Sequence, residues 1–411
     1  MHTRMYVNGA WCPSARGQCL AVINPHTEEL ICEVSAGDAG DVDTAVAAAA
    51  AAFAAWSHSS GAQRAGYLRA IALGVEQQKD ALAHLQSLNG GKPLAESAMD
   101  VADVIATFNY YAELAEQLDA TAEQTVVLPS ADFQASYSRE PCGVVALIVP
   151  WNFPMVTTAW KLAPALAAGC TVVLKPSEVT PLPELALAAI IDAAGLPPGV
   201  FNVVPGTGTA VGEPLCTHPL VSKLSFTGSN AVGSLVMQAA AGSVKGVSLE
   251  LGGKSPILVC ADADMDLALS LVLGDPFDSR TQMGPLVSQL QYERVMRSIA
   301  YGLDEGLELV TGGHRVPGMA CGYFVAPTIF HNVPVQSVLW REEIFGPVLC
   351  VRSFSGDAEA LALANDSAFG LVATVVTADP VRAKWLAREL QVGLVWINAP
   401  QVILPQTAWG A

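Results

Sequence analysis

Strands that are apolar along their whole length constrain the fold of this chain most. From Pro141 onward, four such segments each precede helix-like sequence: GVVALIV (143–149), TVVLKP (171–176), FNVVPG (201–206) and KLSFTG (223–228). Strands that are apolar on both faces, alternating with helices, indicate a parallel sheet covered on both sides. A second series follows, with SPILVC (255–260), YFVAPTIF (323–330), PVLCVRSF (347–354), LVATVVT (371–377) and LVWIN (394–398). The sequence therefore predicts an α/β protein with two α/β units.

The first hundred residues predict short strands followed by helices. MYVNGAW and CLAVINP show strand patterns, and the run AVAAAAAAFAAW predicts a helix because alanine is the best helix former. We expect Asp41 or Asp43 to cap this helix and Phe53 and Trp56 to pack from one face. A low-complexity linker is the alternative. The length of 411 residues exceeds what one core supports, which agrees with at least two units.

Charge and composition exclude several classes of protein. A net charge of -17 would repel nucleic acid and anionic lipid, so neither is an expected partner. The most apolar stretch, 142–174, is interrupted by prolines and polar residues and does not predict a membrane span. Without a secretory signal or a CxxC pair among nine cysteines, we expect a soluble cytoplasmic protein, with an organelle as the open alternative. Seven histidines without HxxxH spacing predict no metal site.

Two turns are candidates for binding a nucleotide. Gly228 and Ser229 stand where a strand turns into helix-like sequence, and the free amides at the start of a helix favour a phosphate. The segment GTGTAVG (206–212) is one residue longer than the dinucleotide fingerprint GxGxxG and is also typical of an ordinary turn.

A third candidate is KPSE (175–178), at the carboxyl end of a predicted strand. There Lys175 and Glu178 could hold the two hydroxyls of an adenosine ribose, and a solvated turn is the alternative. A carboxylate at this place would repel a 2′-phosphate, so the site predicts NAD rather than NADP.

Two further motifs carry candidate catalytic groups. Asn152 lies in PWNFP (150–154), where two prolines fix the backbone around a side-chain amide that could stabilise an oxyanion. A turn asparagine is the alternative. Glu250, in LELGGK (249–254), precedes paired glycines that allow a ligand close approach, which makes it a candidate general base or a surface acid.

Together these motifs resemble the aldehyde dehydrogenase superfamily, whose members carry PWNFP, KPSE, FTGS-x4-G, ELGGKSP, EEIFGP and WGG in this order. The resemblance extends from MYVNGAW to PQTAWG, and its details are similar to betaine-aldehyde and aminoaldehyde dehydrogenases. It implies NAD-dependent oxidation of an aldehyde to the carboxylic acid. In the family a cysteine thiolate attacks the aldehyde, hydride passes to the nicotinamide, and base-activated water hydrolyses the thioester.

The resemblance also implies roles for single residues. Glu250 corresponds to the general base and Asn152 to the oxyanion amide. The implied cofactor-binding residues are Trp151, Lys175, Ser177, Glu178, Gly208, Gly212, Phe226, Gly228, Ser229, Gly233, Leu251, Gly252, Glu343 and Phe345.

The family architecture implies a Rossmann-like cofactor domain, a catalytic α/β domain and a β arm that joins subunits into a homodimer or tetramer. The implied segments are the amino-terminal part of the cofactor domain (1–124), the arm (125–145), the Rossmann-like NAD domain (146–251), the catalytic domain (252–398) and an incomplete carboxyl-terminal segment (399–411). Because relatives continue beyond this last segment, assembly of subunits is open.

The chain departs from the family at one place. In relatives, a block with a G-Q-x-C motif separates the ELGG glutamate from GDPFD, whereas here GDPFD follows Leu273 directly. No cysteine occurs between Cys260 and Cys321, so the nucleophile is predicted to be absent. Cys260 ends a predicted buried strand, where burial would raise its pKa, and we expect it to pack rather than react. Loss of the block predicts a gap or a repaired sheet in the catalytic domain.

Two hypotheses follow from this departure. The first is an aldehyde dehydrogenase of which this chain is an incomplete form, because family-like sequence stands on both sides of the 273/274 seam. The second is a non-catalytic NAD-binding protein, or a subunit of mixed oligomers.

Overall fold

The structure, a computed structural model, describes residues 1–121, 123–130, 132–263 and 272–407. The chain divides into two compact units. The first unit comprises Met1–Asn24 and Glu29–Leu249, and the second comprises Pro25–Glu28 and Glu250–Ala411. The last four residues, which include the end of the predicted PQTAWG match, lie outside the described residues.

The first unit holds eleven of the described strands and eight of the described α-helices. Its strands are β1 (Met5–Val7), β2 (Ala10–Cys12), β3 (Cys19–Ile23), β4 (Leu30–Ser35), β5 (Glu123–Val126), β6 (Ala135–Ser138), β7 (Val144–Ile148), β8 (Thr171–Lys175), β9 (Phe201–Val203), β10 (Val221–Thr227) and β11 (Gly246–Glu250), whose last residue opens the second unit. Its helices are α1 (Ala39–Trp56), α2 (Gly61–Gln77), α3 (Lys79–Gly90), α4 (Leu94–Thr121), α5 (Pro154–Ala167), α6 (Leu182–Ala193), α7 (Glu213–Thr217) and α8 (Asn230–Ala241), with a π-helical turn at Gly208–Gly212.

A seven-stranded sheet forms the core of the first unit, in the order β11-β10-β7-β8-β9-β1-β2. Strands β10, β7, β8 and β9 run parallel, while β1 and β2 join one edge antiparallel. Every residue of β7 and β8 is buried, as expected for strands covered by helices on both faces. Helices α5 and α6 both pack on this sheet.

The alanine-rich run does form a helix, but the predicted caps are wrong. Helix α1 begins two residues before Asp41 and is capped by Asp38, whose side chain accepts hydrogen bonds from the amides of Gly40 and Asp41. Asp41 instead completes a capping box by accepting from the Asp38 amide. The carboxylate of Asp41 also accepts the Ser14 hydroxyl at 2.9 Å, so this acid ties the helix start to the preceding loop.

The longest helix, α4, has 28 residues and packs against α2, α3 and α5. Its buried face includes Val104, Phe108 and Ala112. Within the described part of the chain, no helix is both long enough and apolar enough to cross a bilayer, and no cluster of acidic, histidine or cysteine side chains suits a metal ion.

The segment that the resemblance implies as an oligomerisation arm contains a two-stranded antiparallel hairpin of β5 and β6. Near its tip, Val127 is 96% and Phe133 is 70% exposed. β5 begins two residues before the predicted arm, and the role of this hairpin in joining subunits stays a prediction.

The second unit contains two separate three-stranded sheets within its described residues. One has the order β12-β16-β17 and is parallel, and the other has the order β13-β14-β15. These strands are β12 (Ile257–Val259), β13 (Glu308–Thr311), β14 (Thr328–His331), β15 (Val348–Val351), β16 (Val372–Val376) and β17 (Leu394–Ile397). The helices are α9 (Gln289–Asp304), α10 (Val338–Arg341), α11 (Asp357–Asn365) and α12 (Pro380–Glu389).

One acid is completely buried in the first unit, and the groups around it stabilise its charge only in part. Glu184, in the first turn of α6, is 0% exposed, and neither carboxyl oxygen has a hydrogen-bond partner among the described residues. Burial raises the pKa of this carboxyl well above its usual value, and the ammonium of Lys175 only opposes the shift. The folded state therefore holds the proton to higher pH than the unfolded state, so this group lowers stability as pH rises above its usual pKa.

We expect Glu184→Gln to raise the melting temperature by about 2–4 °C at pH 8 and to change it little near pH 4, because the amide has no proton to lose. Differential scanning calorimetry across this pH range measures the effect. Glu213→Gln, at an exposed position of α7, is the matched control. Equal gains at pH 4 and pH 8 would contradict an origin in the titration of Glu184.

Candidate active site

Three neighbouring parallel strands bring candidate residues of the first unit to one edge of its sheet. Phe226 of β10, Ile148 of β7 and Lys175 of β8 lie in one row across the sheet. The three strands end at or near this row, so the segments that follow them start side by side. These segments carry Asn152 and Ser229.

Asn152 has an unsatisfied amide. It lies between the end of β7 and α5, and Pro154 occupies the first position of that helix. The Asn152 side-chain Oδ1 is buried and has no hydrogen-bond partner among the described residues. An unpaired buried amide atom costs about 1–3 kcal/mol, and a bound ligand would remove this cost. Because Oδ1 is an acceptor, only a donor could satisfy it, so this observation does not test donation by the side-chain Nδ2 to an oxyanion, and that role stays a prediction.

Lys175 and Glu178 form a preorganised pair. Lys175 is only 4% exposed, and its Nζ donates to the Pro176 carbonyl at 2.9 Å and to Glu178 Oε2 at 3.1 Å. An ammonium has three donors, so one more acceptor can be bound. The Glu178 carboxylate is half-buried. Ser177 is buried between them and accepts the Val179 amide at 3.3 Å, which fixes the turn.

The turn after β10 has the predicted strand-to-helix form. Ser229 is the N-cap of α8, and its side chain accepts the Val232 amide. Gly228 is required here because a Cβ would lie 2.5 Å from the Phe226 ring. Gly233 is buried within the first turn and donates its amide to the Ser229 carbonyl. The remaining amides of this turn can meet an anion.

The glycine-rich segment GTGTAVG adopts a π-helical turn that leads into α7. A Cβ at Gly212 would lie 3.7 Å from the Lys175 side chain, whereas one at Gly208 would meet nothing within 4 Å. Gly212 is thus brought next to the Lys175–Glu178 pair and Gly208 is exposed. Contact of either with a cofactor stays a prediction.

In the second unit, the candidate residues cluster around a glycine turn. Glu250, Leu251 and Gly252 are half-buried in succession. Glu343 Oε1 accepts the Gly253 amide at 3.0 Å, and a Cβ at Gly252 would lie 2.3 Å from Glu343 Oε2. The Glu343 carboxylate therefore lies directly against this turn, and a larger residue at position 252 would displace it.

Phe345 lies in a strained loop that its surroundings hold in place. Its φ of 55° is in the left-handed region, which is unfavourable for an aromatic residue, and its side chain is 40% exposed. The buried Gln291 of α9 donates its side-chain amide to the carbonyls of Phe345, at 2.9 Å, and Ile344, at 3.3 Å. Such strain is typical of functional sites, where packing fixes an unusual backbone.

The thiols of the second unit do not supply an evident nucleophile. Cys260 is 3% exposed, and burial raises its pKa, as the sequence predicts. Burial also raises the pKa of Cys350, whose Sγ donates to the Leu339 carbonyl at 3.4 Å. Cys321 is an exposed residue of a loop. A thiol with a raised pKa is mostly protonated at neutral pH and reacts poorly.

The sequence predicts that SPILVC forms a buried strand, but only every second side chain is buried: Leu258 and Cys260 are, whereas Ile257 and Val259 are exposed. In β12, Ile257 is 57% and Val259 is 44% exposed, and in β15, Leu349 is 60% and Val351 is 43% exposed. Both strands are edge strands of their three-stranded sheets, and these four side chains are exposed among the described residues. Sequence reasoning predicted a gap, but hydropathy alone could not indicate which strands would be uncovered.

One known protein family matches the chain along nearly its whole length. A model described as the aldehyde dehydrogenase family matches residues 11–273 and 268–410, so the two matches meet at 268–273. The chain is 42% identical over 452 residues to aminoaldehyde dehydrogenase 2, peroxisomal, of Pisum sativum, covering 99% of this chain and 90% of that protein. It is 41% identical to the chloroplastic betaine aldehyde dehydrogenase of Amaranthus hypochondriacus, with the same coverage. These alignments are longer than the 411-residue chain, so they contain gaps in it.

Solved structures of aldehyde dehydrogenases have the same fold as this chain. Betaine aldehyde dehydrogenase of Staphylococcus aureus in complex with NAD+ has a TM-score of 0.97 at 34% identity, covering 100% of this chain and 89% of that chain. An aldehyde dehydrogenase described as putative from Burkholderia cenocepacia has a TM-score of 0.96 at 36% identity, covering 100% and 92%. The predicted fold class is therefore confirmed.

The uncovered strands lead to a prediction about solubility. We expect the double substitution Ile257→Lys and Leu349→Lys to reduce aggregation and binding of a hydrophobic dye, because charged residues protect exposed sheet edges. The melting temperature should change by less than about 2 °C, since exposed positions contribute little to stability. Val375→Lys, at a fully buried position of β16, should instead unfold the second unit. A loss of stability in the double variant as large as in Val375→Lys would show that these faces are covered.

Proposed function

The chain belongs to the aldehyde dehydrogenase family, and we propose that it binds NAD without carrying out the family's acyl-enzyme reaction. The observation that carries this proposal is the combination of an ordered Lys175–Glu178 pair with the absence of any cysteine between Cys260 and Cys321. The first provides the cofactor site, and the second removes the thiol that would attack the aldehyde.

The residues at the edge of the first sheet fit NAD chemically. The Lys175 ammonium can donate to one ribose hydroxyl, and the half-buried Glu178 carboxylate can accept from another. The start of α8 at Ser229 suits the pyrophosphate. Bound NAD would supply the acceptor for the hydride of an aldehyde. Glu178 favours NAD over NADP because its negative charge would face a 2′-phosphate.

Two candidate catalytic residues remain in the chain, Asn152 and Glu250, although the cysteine nucleophile is absent. The Asn152 amide would donate to the aldehyde oxygen and stabilise negative charge on it. Glu250 would accept a proton from water. Neither residue can form the covalent bond to carbon that makes the thioester route fast, and the raised pKa of Cys260 argues against a substitute.

The substrate class of a complete form follows from the relatives. Those described above are named aminoaldehyde and betaine aldehyde dehydrogenases, so we propose betaine aldehyde or an aminoaldehyde as the substrate. These aldehydes are cationic, and the net charge of -17 would attract them. The plant relatives are named peroxisomal and chloroplastic, which supports an organelle as an alternative to the cytoplasm.

Two observations favour the hypothesis that this chain is an incomplete form of an aldehyde dehydrogenase over the hypothesis that it is a non-catalytic protein. Family matches on both sides meet at 268–273, as expected for loss of one contiguous block. A protein adapted to lack this block would be expected to carry charged side chains on β12 and β15 rather than exposed Ile257 and Leu349. Sequencing the transcript across codons 273 and 274 distinguishes the two, because a message that lacks the block in every sample supports the non-catalytic protein.

We expect the 411-residue chain to bind NAD by calorimetry and to form no NADH when betaine aldehyde is added. Inserting the matching block of the Pisum sativum protein between Leu273 and Gly274 should restore NADH formation, because it returns the nucleophile. The same insertion with its cysteine changed to serine is the control and should stay inactive. Aldehyde-dependent NADH formation by the unaltered chain would contradict the proposal.

The cofactor site gives a second prediction. Lys175→Ala should weaken NAD binding at least about tenfold, or about 1.4 kcal/mol, through loss of the ribose contact. Glu178→Gln should raise NADP binding relative to NAD by about tenfold, since it removes the repulsive charge. Titration calorimetry with both cofactors measures these changes, with Lys384→Ala, an exposed residue of α12, as control. If neither variant changes the affinity for NAD or NADP, the nucleotide binds at another site.

A further inference from the structure

Two cysteines of the first unit lie side by side, away from the candidate site. Cys142 lies two residues before β7 and Cys170 directly precedes β8, which is the neighbouring parallel strand. Both therefore lie at the amino edge of the sheet, whereas Asn152 and Lys175 follow its carboxyl edge. The two sulfur atoms are 3.7 Å apart.

We propose that Cys142 and Cys170 form a redox-active pair, in which Cys142 reacts with a peroxide and Cys170 then closes a disulfide. Neither residue belongs to the cofactor site or to the aldehyde chemistry, so this modification site is independent of the proposed function.

The 3.7 Å between the two sulfur atoms is close to bonding distance, and ideal strand geometry agrees with a backbone separation that a disulfide can span. Continuing the register of β7 and β8 backward sets Cys142 one residue out of step with Cys170. A strand spacing of about 4.8 Å and a rise of about 3.3 Å per residue then give a Cα separation of about 6 Å. Disulfides span about 4.4–6.8 Å between Cα atoms, so closure needs little more than rotation of the side chains.

Glycines next to both cysteines keep the two segments close. Gly143 has φ 113°, and its carbonyl accepts the Thr171 amide at 3.3 Å. Gly169 has φ 85°, and a Cβ there would lie 3.2 Å from Pro141. Because other residues rarely adopt these angles, the approach of the two segments is built into the backbone.

The two thiols differ in exposure and in acidity. Cys142 is exposed and Cys170 is 4% exposed. The hydrogen bond from Cys170, together with the positive charge of Lys223, lowers the pKa of Cys142 to about 6 against the effect of partial burial. The same hydrogen bond and burial raise the pKa of Cys170. At neutral pH the pair thus combines an accessible thiolate with a buried, protonated partner, which is the division between an attacking and a resolving cysteine.

The reaction balances with a peroxide as the oxidant. The Cys142 thiolate attacks one peroxide oxygen, the O–O bond breaks, hydroxide leaves, and Cys142 becomes a sulfenic acid. The Cys170 sulfur then attacks the Cys142 sulfur, the S–O bond breaks, and the hydroxyl group leaves as water with the Cys170 proton. Two electrons pass from the two sulfurs to the peroxide.

The test uses the full-length chain, and its first measurement is the rate of alkylation by iodoacetamide at pH 6. Cys142 should react about tenfold faster than the exposed Cys19 and Cys321, because its larger thiolate fraction outweighs its lower intrinsic nucleophilicity. Equal rates at the three positions would contradict the proposal.

The second measurement follows stoichiometric hydrogen peroxide, blocking of free thiols and digestion with trypsin. The expected product joins peptide 140–161 to peptide 162–223, and fragmentation must locate the bond at Cys170 rather than at Cys216, which lies in the same peptide. Cys170→Ser should stop at a sulfenic acid that dimedone traps, whereas the control Cys19→Ser should form the disulfide normally.

The oxidised chain should keep NAD binding, since the bond lies at the opposite edge, and its melting temperature should rise by several degrees because the cross-link restricts the unfolded chain. A disulfide to any other cysteine, or no dimedone adduct in Cys170→Ser, would overturn the proposal.

Discussion

Hydrogen bonding between three neighbouring parallel strands determines where Asn152, Lys175, Glu178 and Ser229 lie in the first unit. Their register sets Phe226, Ile148 and Lys175 in one row. Since side chains alternate between faces, a slip of one residue would move the Lys175 ammonium to the other side of the sheet. Such a slip would separate Lys175 from Glu178 and would repack the buried side chains of β7 and β8 on both faces. The placement of these candidate residues therefore depends on packing within the sheet.

In the second unit, the short motifs form their local contacts even though apolar strand side chains stay exposed. The contact of Glu343 with Gly253 and the support of Phe345 by Gln291 are formed by short segments and by α9. Covering of a parallel sheet, in contrast, needs whole strands and helices on both faces. A chain can thus keep most of the short motifs that identify its family while its second unit leaves apolar strand side chains exposed.

The sequence predicts the fold class and the family correctly because apolar strands and ordered motifs are local signals. The predictions that fail depend on details beyond such patterns. Asp38 caps α1 in place of the predicted Asp41 or Asp43, because the helix begins at Ala39, two residues before Asp41. Exposure of Ile257 and burial of Glu184 depend on which elements lie opposite, and hydropathy carries no such information. The roles of Asn152, Glu178 and Glu250 stay predictions, although the first two occupy fitting positions.

The uncovered faces of β12 and β15 also bear on how a cell would treat this protein. Chaperones and proteases act on proteins that expose apolar strand faces, because such surface is typical of incomplete folding. A polypeptide that presents two such faces in its native state would be captured repeatedly after synthesis. Its abundance would then reflect the rate of its clearance by quality control more than the rate at which its gene is expressed.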